Sequence, residues 1–171
     1  MKQEAALPEP WLRGTLGEIP AVGRAVLHAL ELAEEDLQKW CGGLTDDELN
    51  ARPGDLPPVA FHLRHVSRSI DRLLTYAEGG ELTGDQITAL KSELDSGARS
   101  SETFAELLAG LERGAARVRA LSQQDLNTPR IVGKKRLPTS LAGLLVHVAD
   151  HTQRHVGQAV TTAKIVMSSR K

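Results

Sequence analysis

The sequence predicts an all-α protein: a four-helix bundle with a long crossover connector after the second long helix and short extra helices. Apolar residues recur at three-and-four spacing through four long stretches, as in amphipathic helices that bury one face. Glycine pairs, prolines and capping signals separate those stretches. No segment alternates as a half-buried strand does, apart from an extended piece near Arg130 to Val132. The 171 residues, 40% hydrophobic and 25% charged, fit a single soluble domain over 1–171 with a proper core.

Residues 1–19 read as an irregular leader, because Pro8, Pro10, Gly14 and Gly17 interrupt any period. Trp11 and Leu12 are expected to pin it to the body. Pro20 suits the first turn of a helix. From there to about Cys41 the apolar stripe is Val22, Ala25, Val26, Ala29, Leu30, Ala33, Leu37 and Trp40, and Gly42-Gly43 ends it. Thr45-Asp-Asp-Glu48 is a capping-box pattern for a short helix ended by Pro53-Gly54. Pro57-Pro58 opens the second long helix, to about Ala77, with Leu63, Val66, Ile70, Leu73, Leu74 and Ala77 inward. A connector of roughly 20 residues follows, which implies a non-adjacent crossing rather than simple up-down-up-down order. Within it, Thr83-Gly-Asp-Gln86 starts another short helix, to about Leu94. Ser100 or Ser101 is expected to cap the third long helix, whose core face runs from Phe104 through Leu107, Leu111 and Val118 to Leu121. Residues 122–138 look irregular and carry Lys134-Lys135-Arg136. Thr139 or Ser140 caps the fourth long helix, which runs to about Met167.

A faint internal echo pairs Leu44-Thr-Asp-Asp-Glu-Leu-Asn50, Leu56-Pro57 and His65-Val66 with Leu121-Ser-Gln-Gln-Asp-Leu-Asn127, Leu137-Pro138 and His147-Val148. A spacing of about 80 residues hints at two related helical hairpins, with chance similarity of capping signals as the alternative.

Composition removes several function classes. A net charge of -1 gives no attraction for nucleic acid or an anionic membrane, and aromatics at 3% are too few for a base-stacking surface. No apolar run is long enough to span a bilayer, and Met1 to Pro10 has no hydrophobic signal core, so a cytoplasmic location is expected. Cys41 is the only cysteine, which excludes an internal disulfide and sulfur-rich metal sites. Nothing near it marks it as an activated nucleophile.

The chemistry lies in the histidines. Three of the six, His147, His151 and His155, follow one another at four-residue steps on the fourth long helix and so form one ridge. Two histidines at i and i+4 are a ready ligand pair for one metal ion. The apolar face set by Leu144, Leu145, Val148, Val156 and Ala159 contains His155 and has His151 at its edge. His147 lies further out, at the rim. Two imidazoles buried without partners would cost several kcal/mol, and a metal removes that cost. A third ligand belongs on a facing helix. The second long helix offers His62, nearer the Val66–Ile70 stripe, and His65, flanked by Phe61, Tyr76 and Ser69, and the wheel leaves both open. His28 reads as a surface or boundary residue.

The segments Phe61-His-Leu-Arg-His65-Val-Ser-Arg-Ser-Ile-Asp-Arg-Leu73 and Val146-His-Val-Ala-Asp-His151-Thr-Gln-Arg-His155-Val-Gly-Gln158 resemble those of the DinB/YfiT-like family of metal-binding four-helix bundles. The second resembles the family's ending of two histidines four apart followed by Gly-Gln. The resemblance covers nearly the whole chain and implies metal ligands at His65, His151 and His155. The surplus His62 and His147 depart from it as competing ligands.

Three imidazoles leave an open coordination position, the catalytic kind of site, and zinc or nickel suits all-nitrogen ligands. Asp150, Asp71, Gln158 and Tyr76 are candidates to orient the histidines, with solvated surface charge as the plainer reading of the two aspartates. The resemblance implies a transferase or isomerase that uses a low-molecular-weight thiol as cosubstrate, in which a metal-held thiolate attacks a small electrophilic substrate. Lys134, Lys135, Arg136 and Arg154 would bind the thiol's carboxylates, against the plainer reading of a solvated loop. The competing readings are a metal-dependent hydrolase and a metal-stapled bundle acting as a non-enzymatic dimerisation or interaction module. No carboxylate-rich two-metal cluster supports a nuclease. A homodimer is the expected assembly, since the leader and first helix offer apolar residues beyond one stripe. No catalytic residue is assigned.

Overall fold

Helix α1 (Ala21–Cys41) follows an extended Pro20 and buries Val26, Leu30, Ala33 and Leu37. The computed structural model describes residues 7–170. The first six residues of the expected leader lie outside them. The rest is irregular, with one 3-10 turn at Pro10–Leu12. Trp11 and Leu12 do not pin it, being 61% and 56% exposed. Other residues do that: the Arg13 guanidinium grips Glu35 at 2.6 and 2.8 Å, Thr15 Oγ1 meets His28 Nε2 at 3.1 Å, and Leu16 and Ile19 pack against the core. His28 is therefore buried, not a boundary residue.

Helix α2 (Asp46–Asn50) is started by the capping box, with Glu48 N donating to Thr45 Oγ1 and Thr45 N to the Glu48 carboxylate. After a 3-10 turn at Pro53–Asp55, helix α3 (Val59–Ala77) buries Leu63, Val66, Ile70 and Leu74. Helix α4 (Gly84–Lys91) carries the second capping box and stops three residues short of Leu94. Helix α5 (Ser100–Leu121) lacks the expected serine cap. Asp46 of α2 accepts from Ser100 N at 2.7 Å, so one short helix caps the start of a long one. Strands β1 (Pro129–Val132) and β2 (Leu137–Ser140) form an antiparallel hairpin in the stretch expected to be irregular, and β1 contains the extended piece read from sequence. Ser140 then caps helix α6 (Leu141–Ser168) by accepting from Gly143 N. No helix among the described residues is long and apolar enough to cross a membrane.

The four long helices, α1, α3, α5 and α6, form the bundle. Helix α6 packs on α1 and α3, and α5 packs on α3 and α1. Pairs in contact fix the directions. His62 meets His155 and His65 meets His151, so α3 and α6 are antiparallel. Ser67 meets Glu106 and Gly110 while Ile70 meets Gly114, so α3 and α5 are parallel. Gln153 reaches Ala29 and Lys164 covers Trp40, so α1 and α6 are parallel too. The order is up, down, down, up. The connector after α3 is thus an overhand return that makes a parallel neighbour. It is not the non-adjacent crossing expected; the diagonal steps are α1 to α3 and α5 to α6.

The α3–α5 contact depends on glycine. A Cβ on Gly110 would meet Ser67 Cβ at 2.9 Å and Cα at 3.2 Å, atoms that cannot rotate away. Gly110→Ala should therefore cost about 1–3 kcal/mol in urea unfolding. By contrast Gly157, helical with open space around it, should gain about 0.5–1 kcal/mol on replacement by Ala.

Candidate metal centre

Because α3 and α6 run antiparallel, their histidine rows face each other one turn at a time. His65 Nε2 lies 2.8 Å from His151 Nε2. The His155 ring centroid is 4.2 Å from that of His65 and 4.7 Å from that of His151. One ring nitrogen from each of the three falls within 4.8 Å of the others. That spacing fits a single first-row ion, whose nitrogen ligands at about 2.0–2.1 Å must converge from separate helices. The donor set is all imidazole, with no thiolate near.

His65 is held by a residue that sequence reasoning missed. Its Nδ1 donates to Glu93 Oε2 at 2.7 Å, and Arg72 Nη1 donates to Glu93 Oε1 at 2.7 Å. Glu93 is only 3% exposed. With Nδ1 committed to the carboxylate, the Nε2 lone pair points at His151, an arrangement that orients metal-binding histidines generally. Burial pushes the Glu93 carboxyl up, but the bonds from His65 and Arg72 outweigh it and hold it below the usual carboxylate range. Phe61 stacks on the His65 ring at 5.3 Å. The available signal was Arg72, two turns beyond His65 on the same face. A buried guanidinium there needs a carboxylate from the connector.

His62 is 3% exposed, and its Nδ1 lies 3.1 Å from His155 Nδ1. One nitrogen of that pair must donate to the other. When His155 donates, its Nε2 is free as a ligand atom, and His62 stands behind it as Glu93 stands behind His65. His147 sits at the exposed rim, with Nδ1 3.7 Å from Asp150. Asp150 pairs with Arg154 at 3.0 Å and does not touch His151 or His155. Gln158 is exposed beside the cleft. Asp71 binds Arg117 and Gln86, away from the site, and Tyr76 lies at the far end of α3. The basic group is split: Arg154 borders the histidines, while Lys134 and Arg136 line a different groove.

Burial, and then the neighbouring His65, push the imidazoles of His62, His151 and His155 down to about 4. All three are neutral at physiological pH, the form that binds metal. Burial alone pushes the Cys41 thiol up to about 12, which removes it as a nucleophile. A cleft of about 560 Å³ opens beside His62 and His155, walled by Leu56, Pro57 and Phe61, with Arg154 and Thr161 at its edge.

The sequence profile of the DinB superfamily matches residues 29–159. The chain belongs to the DinB superfamily. No curated protein matches it. The matched span of this DinB protein includes both histidine rows and the Glu93 connector, so its three-histidine cluster fits a metal-binding helical protein.

Two outcomes follow for the metal-free chain. Its unfolded form takes up protons on these histidines below about pH 6.5, whereas the folded form does so near pH 4. Stability present above pH 6.5 should fall progressively as pH drops toward 4, read as a declining urea midpoint. Glu93→Ala strands Arg72 and should cost about 3 kcal/mol, with part recovered when Arg72→Met is added.

Proposed function

We propose that this DinB protein holds one divalent ion, zinc or nickel, on His65, His151 and His155. We read it as a metal-dependent enzyme of the low-molecular-weight-thiol transferase type. The observation that carries this is the cluster of three imidazoles, braced by Glu93, one of which, His155, lines an open cleft together with His62. When bound, the ion supplies Lewis acidity, which lowers the pKa of a thiol or of water. The protein's own residues prepare the place. Glu93 and His62 fix the orientation of His65 and His155. Leu56, Pro57 and Phe61 give the cleft an apolar wall that excludes water from a small-molecule substrate. Arg154 offers a cation at the rim, shared with Asp150, to a carboxylate of the thiol. The net charge of -1 argues against nucleic acid or an anionic membrane as partner. We place the protein in the cytoplasm, where a free buried cysteine needs no partner. A homodimer through the exposed leader, where Trp11 and Leu12 stand out, is the assembly we propose.

A second reading has its own observation. The site ties His65 of α3 to His151 of α6 across 86 residues of chain, so an ion there could serve as a staple in a non-enzymatic interaction module. A hydrolase would use the same cleft with water in place of thiol.

Metal analysis tests the site, and a thiol probe tells the transferase from the staple. Purified protein should carry about one ion per chain, and His65→Ala and His151→Ala should lose it. His62→Ala should keep the ion with about 10–100-fold weaker affinity. In cobalt-substituted protein, adding a low-molecular-weight thiol should produce a sulfur-to-metal charge-transfer band. Unchanged metal content in the His151 variant sinks the site. A metal-dependent melting temperature without any thiol band favours the staple.

A further inference from the structure

A larger groove, of about 810 Å³, lies between α4, the last turn of α3 and the β1–β2 hairpin. Tyr76 is eleven residues past His65 on α3, about 16 Å along the axis, so the groove is separate from the histidine cluster. Its two sides differ in chemistry. Helix α4 is tied down by its polar face: Arg68 Nη1 donates to Ala89 O at 2.8 Å, and Gln86 donates to Asp71 at 2.6 Å. This leaves Ile87 and Leu90, 39% and 43% exposed, facing the groove with Leu82. The hairpin contributes Arg130, Lys134 and Arg136. Among the described residues none of these cations pairs with a carboxylate. Arg130 is positioned by backbone carbonyls alone, those of Ala77 and Pro129. Arg136 is held at φ 52, in the left-handed region that costs a bulky side chain energy, by a turn closed from Arg136 N to Gly133 O. Glu81 is the one acid in the lining.

We propose that this groove binds a small amphipathic anion, an organic carboxylate with an aliphatic body. Its head lies on the hairpin cations and its chain along Leu82, Ile87 and Leu90. Charge complementarity selects an anion, since three cations face one carboxylate. The volume and the mostly apolar lining are those of a small-molecule site. Ile87 and Leu90 stay 39% and 43% exposed side by side on a short helix among the described residues.

The test is calorimetric titration of the full-length, metal-loaded protein with dodecanoate below its micellar range. Saturable binding is expected, weakened at least about tenfold by Lys134→Ser with Arg136→Ser and lost in Leu90→Asp. Both sites are exposed, and circular dichroism checks that the variants stay folded. His151→Ala, titrated without metal, should leave the affinity unchanged. The proposal is overturned by dodecanol binding as tightly as dodecanoate, or by affinity that ignores the Lys134 and Arg136 changes. It also fails if binding is lost with His151→Ala, which would place the ligand in the histidine cleft. A dimer in sedimentation velocity that Leu90→Asp dissociates would assign the groove to a second copy and equally overturn it, as would no binding at all.

Discussion

A carboxylate that is 3% exposed cannot stay ionised in a bundle without cations around it. Glu93 is that carboxylate, and Arg72 and His65 meet it on its two oxygens. Much of the site geometry follows from this one ion cluster. It fixes the His65 ring, turns Nε2 toward α6, and draws the connector after α4 down onto α3. Arg68 repeats the pattern one turn earlier on α3, bonding Glu106 as well as Ala89 and Ser92. The connector is thus held by charge-assisted bonds rather than by apolar burial, and α4 itself has no buried residue.

The overhand connector also explains how two histidine rows come to face each other. Antiparallel α3 and α6 place His62 opposite His155 and His65 opposite His151. That pairing needs α5 out of the way, and α5 is out of the way because it returns parallel to α3 on the other flank. Gly110 and Gly114 make the return possible by letting α5 approach Ser67 and Ile70 closely.

The long helices were legible because each carries a strong apolar period and a chemical start or stop. The histidine pair of α6 was legible for the same reason: position on the wheel follows from spacing alone. What was not legible depends on contacts between distant segments. Asp46 as a cap for α5 and Glu93 as a brace for His65 each join residues with no sequence relation. The burial of His28 depends on Thr15 in a stretch without period. The connector's length signalled that simple alternation fails, but length cannot say whether the next helix is a neighbour or lies across the bundle. The choice between His62 and His65 looked like a competition, and the fold gives both a place: His65 faces α6 with a carboxylate behind it, and His62 lies behind His155.

The site is assembled from rows whose facing histidines are 86 and 93 residues apart in the chain. Closing so long a loop carries an entropic penalty that rises only with the logarithm of its length, yet it must be met before any contact between the rows is made. The pair His151 and His155 exists as soon as α6 is helical, whereas the His65 nitrogen arrives only when α6 docks. The α6 ridge alone offers two donors; docking on α3 brings the third within 4.8 Å of both. The full donor set exists only in the docked fold, so affinity for an ion is tied to the stability of the contact between α3 and α6.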